Sequence, residues 1–287
     1  MLGTAMAVRL YHFPPSLCSQ KVRLALEEKG VEWESCLVDI GIAMENYEPW
    51  YARLNPGLVV PTLEHDGDIV TDSARIVRYV DDQFDGPPLT PSGDEERERM
   101  EHWIQRIDAF NFRGLSYGNV PSALSAMRDQ SFDKRRKKIR SSMEEAPDLR
   151  DVFEAKLDDI DQWEKTVQTP AEVDAIEDEL HDMLDELDAT LRPRKWVAGP
   201  DYSLADILVT IGLGRIHMIG FGDLIDDDEY PAVAEYYARV GNRPSFRHAD
   251  VWERMRITAL LVLFLRAIWI RMIGSESPSP MSASQPD

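Results

Sequence analysis

The sequence predicts an α/β domain followed by an all-helical domain, and three observations carry that prediction. Hydrophobic patterning over residues 8–84 alternates between the two-residue period of strands and the 3.6-residue period of helices. The run from Asp85 to Gly93, Asp-Gly-Pro-Pro-Leu-Thr-Pro-Ser-Gly, is built of turn formers and reads as a linker. From Asp94 to about Arg247 nearly every apolar residue recurs at helical spacing. The predicted division is therefore residues 1–84, a linker at 85–93, a helical domain over 94–250, an apolar-basic helix over 251–273 and a disordered Ser/Pro-rich tail over 274–287.

Taken in order, Val8–Tyr11 is an apolar strand, and Gln20–Lys29 is a helix with Val22, Ala25 and Leu26 on one face and Gly30 as its stop. Trp33–Val38 is a second strand. Thr62–Glu64 and Ile69–Val70 flank His65-Asp66-Gly67-Asp68, the signature of a hairpin turn. Ser73–Phe84 is helical through Ile76, Val77 and Val80. This order, βαβ, then a ββ hairpin, then α, is that of a thioredoxin-like domain. In the second domain Glu95–Phe112 carries Met100, Trp103, Ile104 and Ile107 on one side, and Glu172–Leu191 carries Ile176, Leu180, Met183, Leu184 and Leu187.

Charge narrows the function. The chain has 52 acidic and 32 basic residues, a net charge of −20, which argues against nucleic acid as a partner because phosphate binding needs a basic face. The acidic excess reads either as a solvated, self-repelling surface or as adaptation to a salty cytoplasm, where Asp is abundant and Lys scarce. The basic run from Lys134 to Lys138, with Arg140, is read as a solvated helix face. Two cysteines, Cys18 and Cys36, without CxxC spacing imply neither a disulfide framework nor a zinc site, and no metal is expected. The first residues lack a secretory pattern, so a reducing, cytoplasmic setting is expected.

The chemistry concentrates at Ser16-Leu17-Cys18, where a strand gives way to a helix. A helix N-terminus presents unpaired N–H groups and the positive end of the macrodipole, which favours a thiolate. Cys18 there is a candidate low-pKa nucleophile, whereas Cys36, mid-strand among apolar residues, reads as a small core residue. Val60-Pro61 precedes the third strand, and Asp72-Ser73 opens the next helix, where a hydroxyl and backbone N–H groups can hold a carboxylate. Asp72-Ser73 taken alone is more commonly a simple N-cap. In this order the three features make a site for a γ-glutamyl thiol peptide.

These segments resemble the glutathione transferase superfamily over roughly residues 8–250, closest to its tetrachlorohydroquinone reductive dehalogenase and zeta-class branches. The likeness is carried by the residues from Val38 to Pro49, by Arg53-Leu-Asn, Val60-Pro-Thr-Leu, Pro147-Asp-Leu and Tyr202-Ser-Leu-Ala-Asp-Ile. It implies a glutathione transferase fold, glutathione (or γ-glutamylcysteine) as thiol cosubstrate, an electrophilic, aromatic or quinoid small molecule as acceptor, and a homodimer. It also implies roles. Ser16 would stabilise the glutathione thiolate, and Cys18 would attack a glutathionyl adduct and leave as a mixed disulfide. Val60, before a cis Pro61, would pair its backbone with the cysteinyl part; Asp72 and Ser73 would hold the γ-glutamyl end. Ser203 and Asp206 match a capping box. Tyr117 is a candidate for the acceptor pocket, with Trp103, His217 and Met218 as further aromatic or polarisable possibilities.

The C-terminal stretch from Ile257 to Ile273 is apolar but for Arg266 and Arg271, and residues 251–273 carry four Arg against one Glu. Such a helix fits a membrane surface, with Arg266 snorkelling or keeping it in the interface. It fits equally a terminal helix packed on the fold or across a dimer. A transferase-like binding or adaptor protein at a membrane, with little catalysis, is accordingly the alternative to an enzyme.

Overall fold

The computed structural model describes residues 8–226, 229–254, 261, 262, 264–268 and 270. Its first half is a four-stranded sheet. β1 (Val8–His12) leads into α1 (Leu17–Lys29), β2 (Glu34–Leu37) and α2 (Pro49–Leu54); β3 (Thr62–His65), β4 (Asp68–Thr71) and α3 (Ser73–Gln83) follow. The sheet order is β2-β1-β3-β4, with β1 parallel to β2 and antiparallel to β3. Strand alternation sorts the two faces. Val8, Leu10, Leu63 and Val70 pack against Val22, Leu26, Ile76, Val77 and Val80 of α1 and α3. Tyr11, Cys36, Val38, Tyr51 and Val60 form the opposite layer, toward α2. Burial there pushes the Cys36 thiol up to about 11, as a core cysteine requires.

The helix expected from Gln20 begins three residues earlier, because the Ser16 hydroxyl accepts from the Ser19 N–H (3.3 Å) and closes the first turn. Gly30 ends it at φ +68°, a conformation that glycine adopts freely.

The helical half contains α4 (Asp94–Ala109), α5 (Phe112–Gly118), α6 (Ser125–Glu145), α7 (Arg150–Gln168) and α8 (Pro170–Leu191). It continues through α9 (Leu204–Ile216), α10 (Asp223–Asp226), α11 (Pro231–Gly241) and α12 (Pro244–His248). The single helix expected over Glu95–Phe112 is two: Phe110 leaves helical backbone and the Asn111 side chain caps α5, accepting from the Gly114 N–H at 2.8 Å. α9 is the central strut, buried at every position but Arg215. The stretch Leu204–Phe221 is long and apolar enough to cross a membrane, yet 67% of it is buried inside the protein, the mark of a core helix. Its start is the expected capping box. Asp206 accepts from the Ser203 N–H and hydroxyl (2.8 Å each), from the Val197 N–H (2.9 Å) and from the Tyr236 hydroxyl (3.1 Å).

The basic run on α6 divides. Arg136 pairs with Asp133, Asp161 and Glu164, and Lys138 with Glu48, as a solvated face would. Arg135 departs from that reading: it is buried and donates to the Ile40 carbonyl at 3.2 Å.

Of the expected 251–273 helix, residues 255–260, 263, 269 and 271–273 lie outside the described residues, as does the 274–287 tail. Residues 251–254 are described and are not helical; residues 261, 262, 264–268 and 270 are helical and dock on the sheet domain. Arg266 does not snorkel; it donates to Glu45 at 2.6 Å and to the Leu37 carbonyl at 2.9 Å, with Ala267 and Ile270 buried. Leu261, Val262, Phe264, Leu265 and Ile268 are exposed.

His12 is buried at the end of β1 against Trp33, with Nε2 at 2.8 Å from the Ser35 hydroxyl and Nδ1 at 3.4 Å from Arg23. Burial, then the Arg23 charge, holds its imidazole down at about 3. The unfolded chain, with an ordinary value of about 6.5, binds a proton below that pH that the folded chain refuses. Stability contributed above pH 6.5 is thus lost as pH falls toward 3, by about 2 kcal/mol between pH 7 and 5. Denaturant titrations should show the stability gap between wild type and His12→Asn shrinking by that amount at pH 5. A gap independent of pH would refute the account.

Candidate active site

Ser16 and Cys18 stand at the start of α1 on a loop that side chains hold from several directions. The Pro15 carbonyl accepts from Arg215 (2.7 Å) and Gln20 (3.4 Å), and the Pro14 carbonyl from Arg23 (3.1 Å). Arg23 also donates to the carbonyls of Ala249 and Asp250, and Gln20 accepts from the Trp252 N–H, so the 249–252 segment braces α1 from behind. Because the Ser16 hydroxyl accepts the capping N–H, its own proton remains available to donate toward an anion. Cys18 is half-buried in the first turn, where unpaired N–H groups cluster.

Both residues open into a cavity of about 680 Å³ between the two halves of the molecule. Phe13, Val59 and Val60 wall it on the sheet side; Ile107, Phe110, Tyr117, Trp163, Met218 and Ile219 wall it on the helical side. Met218 and Ile219 reach it from the π-helical turn that follows α9, a local widening common at functional sites. Tyr117 meets Trp163 edge-on at 4.6 Å. Trp103 lies in the core, and His217 stacks on Tyr237 at 4.8 Å; neither is among the wall residues.

The Val60-Pro61 bond is cis. The bonds that pin this loop run on either side of it: the Val59 carbonyl accepts from Tyr51 (2.8 Å) and Asn55 (2.9 Å), and the Thr62 hydroxyl meets both side chains. Asp72 and Ser73 stand at the start of α3 and outside the cavity wall. Asp72 holds φ +72° and ψ 121°, strained for a residue with a Cβ, while its carboxylate caps α3 by accepting from the Arg75 N–H at 2.9 Å. A strained, exposed acidic cap is the kind of position that binding sites retain.

Arg215 escaped the sequence reading. Burial lowers its guanidinium's pKa, and the Tyr117 and Cys18 side chains pull it back up, so the cation lies within electrostatic reach of the thiol. Positive charge beside a helix-start cysteine is the environment in which thiols act as nucleophiles. The signal was present: an arginine inside the apolar run Leu-Ala-Asp-Ile-Leu-Val-Thr-Ile-Gly-Leu-Gly-Arg-Ile. Among the described residues no group of His, Cys, Asp or Glu is arranged to hold a metal ion.

A thioredoxin-type sheet carrying a thiol at its first helix, closed by an all-helical half, defines a thiol-peptide enzyme fold. The chain matches the family models for the glutathione S-transferase N-terminal domain over residues 10–88 and C-terminal domain over residues 170–239. It is 37% identical over 246 residues to tetrachloro-p-hydroquinone reductive dehalogenase of Sphingobium chlorophenolicum, covering 85% of this chain and 96% of that one. It is 27% identical to the glutathione S-transferase TCHQD of Arabidopsis thaliana, over 90% of this chain and 97% of that one. The solved structure of the beta-etherase LigF from Sphingobium sp. strain SYK-6 superposes with a TM-score of 0.66 at 25% identity, over 85% of this chain and 98% of that one. The chain belongs to the glutathione transferase family and is an enzyme of that family.

Proposed function

We propose that this enzyme uses glutathione to reduce or substitute an electrophilic aromatic or quinoid small molecule, with Cys18 as the thiol nucleophile. The observation that carries the reading is the pairing of Ser16 and Cys18 at the mouth of an aromatic-walled cavity. In the reductive cycle a glutathione thiolate, held by the Ser16 hydroxyl, displaces halide from a ring carbon and forms a C–S bond. The Cys18 thiolate then attacks that sulfur; an S–S bond forms, the C–S bond breaks, and the electron pair stays on the ring carbon, which takes a proton. A second glutathione thiolate releases Cys18 and leaves as glutathione disulfide. One ring carbon gains two electrons and two glutathione sulfurs lose them.

Val60, with Pro61 behind it, pairs its backbone with the cysteinyl part in this reading, Asp72 and Ser73 hold the γ-glutamyl group, and Tyr117 lines the acceptor side. Because Asp72 and Ser73 read only the γ-glutamyl end, γ-glutamylcysteine is a second thiol to test. The protein is proposed to be a cytoplasmic homodimer. One observation favours a second reading, association with a membrane surface: the exposed apolar face of Leu261, Val262, Phe264, Leu265 and Ile268 on the docked C-terminal helix.

Calorimetry tests the thiol site. Asp72→Ala should weaken glutathione binding by about 1–3 kcal/mol, the cost of a lost charge-assisted hydrogen bond. Asp72→Asn keeps a capping side chain and loses the charge, and should weaken binding comparably while preserving the thermal midpoint. Wild-type affinity in both variants would show the site to be misplaced.

A further inference from the structure

The wall contributed by α5, α6 and α7 carries a charge imbalance that the thiol chemistry does not use. Arg113, Arg135 and Lys156 all line the cavity. Among their described ion pairs there is one carboxylate, Asp159, which holds Arg113 at 2.9 Å and Lys156 at 3.1 Å. Burial would raise the Asp159 carboxyl, but the two cations overcome it and hold it at about 2, so it is ionised. Three cations against one anion leave a local +2 in a chain of net −20.

The imbalance is buried on its inner side: the Lys156 side chain is 11% exposed, whereas Arg113 and Asp159 reach the surface at 44% and 38%. Arg135 is 8% exposed and spends one donor on the Ile40 carbonyl, while its Nε has no acceptor. The Arg113 and Arg135 guanidiniums lie 4.6 Å and 5.3 Å from the centre of the Trp163 ring, whose buried Nε1 also lacks an acceptor. A desolvated cation and two orphaned donors in one place are costly unless an anion completes them. The packing makes the arrangement rigid: Phe132, Ile139, Phe153 and Ile160 of the α6–α7 pair interlock with Met44, Tyr47 and Leu58 of the sheet half. Arg113, Arg135, Lys156, Asp159 and Trp163 all fall between the two stretches that match the family models, 10–88 and 170–239.

We propose that Arg135, Lys156 and Arg113, around Trp163, form a carboxylate-binding subsite that anchors an acidic group of the bound reactants. A guanidinium takes a carboxylate through paired N–H donors, and the indole face and Tyr117 suit a flat ring beside it. The carboxylate has two sources: an aromatic acid as acceptor, or the glycyl end of glutathione. The inference deepens the proposed function by naming a chemical feature of its ligands.

Calorimetry on the full chain separates the sources. Benzoate and its neutral isostere benzamide are titrated without any thiol peptide, and glutathione is compared with γ-glutamylcysteine, which lacks the glycyl carboxylate. The expected result is at least tenfold discrimination in one of the two pairs, falling below threefold in Arg135→Gln. Arg135 also supports the 38–46 loop through Ile40, so Lys156→Gln is measured in parallel, with thermal midpoints as the folding control. Discrimination in the benzoate pair assigns the subsite to the acceptor; discrimination in the peptide pair assigns it to glutathione. Discrimination below threefold in both pairs for wild type, or discrimination that both folded variants retain, overturns the proposal. The benzoate arm reads the subsite even if glutathione fails to bind, in which case the proposed thiol chemistry falls and the subsite stands.

Discussion

Cys18→Ser should abolish reductive turnover while leaving thiol-peptide binding intact. The proposed cycle needs a second thiolate to attack the glutathionyl sulfur, and a serine hydroxyl at that place is neither ionised at neutral pH nor able to accept the sulfur as a disulfide. The rate of glutathione disulfide formation from a halogenated hydroquinone should drop by more than about a thousandfold, about 4 kcal/mol in the barrier. Glutathione affinity, which rests on Ser16, Val60, Asp72 and Ser73 in this reading, should change less than about twofold. The ring–glutathione thioether should accumulate, because the first displacement does not require Cys18, and mass spectrometry would detect it as a stable adduct. Turnover within tenfold of wild type would remove Cys18 from the mechanism and leave a simple transferase.

Asp206→Ala should be the most destabilising single substitution in the helical half. The carboxylate is fully buried and accepts from Ser203 twice, from Val197 and from Tyr236, so it joins the start of α9 to the preceding loop and to α11. Truncation leaves several donors without acceptors in a site closed to water and opens a cavity beside α9. The expected loss is about 3–5 kcal/mol, or about 10 °C in the thermal midpoint of a chain this size. α9 carries the wall residues that follow it and the cation Arg215, so glutathione affinity should fall at temperatures where the variant is still mostly folded. A loss below about 1 kcal/mol would mean that solvent reaches the cap and replaces the carboxylate. Asp206→Asn, which keeps one acceptor oxygen, should fall between the two.

Much of the fold was legible because its signals are local. The β1–α1 unit, the hairpin at Asp66-Gly67 and the stop at Gly30 each depend on side chains within a few residues of one another. The capping box at Ser203 and Asp206 is a spacing rule, and the structure forms it. The break between α4 and α5 was hidden because apolar periodicity runs through Phe110 and Phe112, and only the Asn111 cap divides them. The basic run on α6 looked uniform by composition; packing turned Arg135 inward against Trp163 while Arg136 and Lys138 found acidic partners outside. Arg266 likewise read as a charge in an apolar segment, and the fold supplies Glu45, 221 residues away, as its partner.

By itself, the sequence determined the α/β-then-α fold, the family, and the Ser16/Cys18 motif at the start of α1. Those follow from periodicity, capping chemistry and short motifs, which the chain encodes over a turn or two. Only the tertiary structure decided which charges face one another. It set Arg215 on the Pro15 carbonyl at the cavity that Cys18 lines, gathered Arg113, Arg135 and Lys156 from three helices into one cavity wall, and turned Arg266 onto the sheet domain. The physical reason is that a buried charge is placed by partners distant in sequence, and its cost or use depends on what surrounds it after folding.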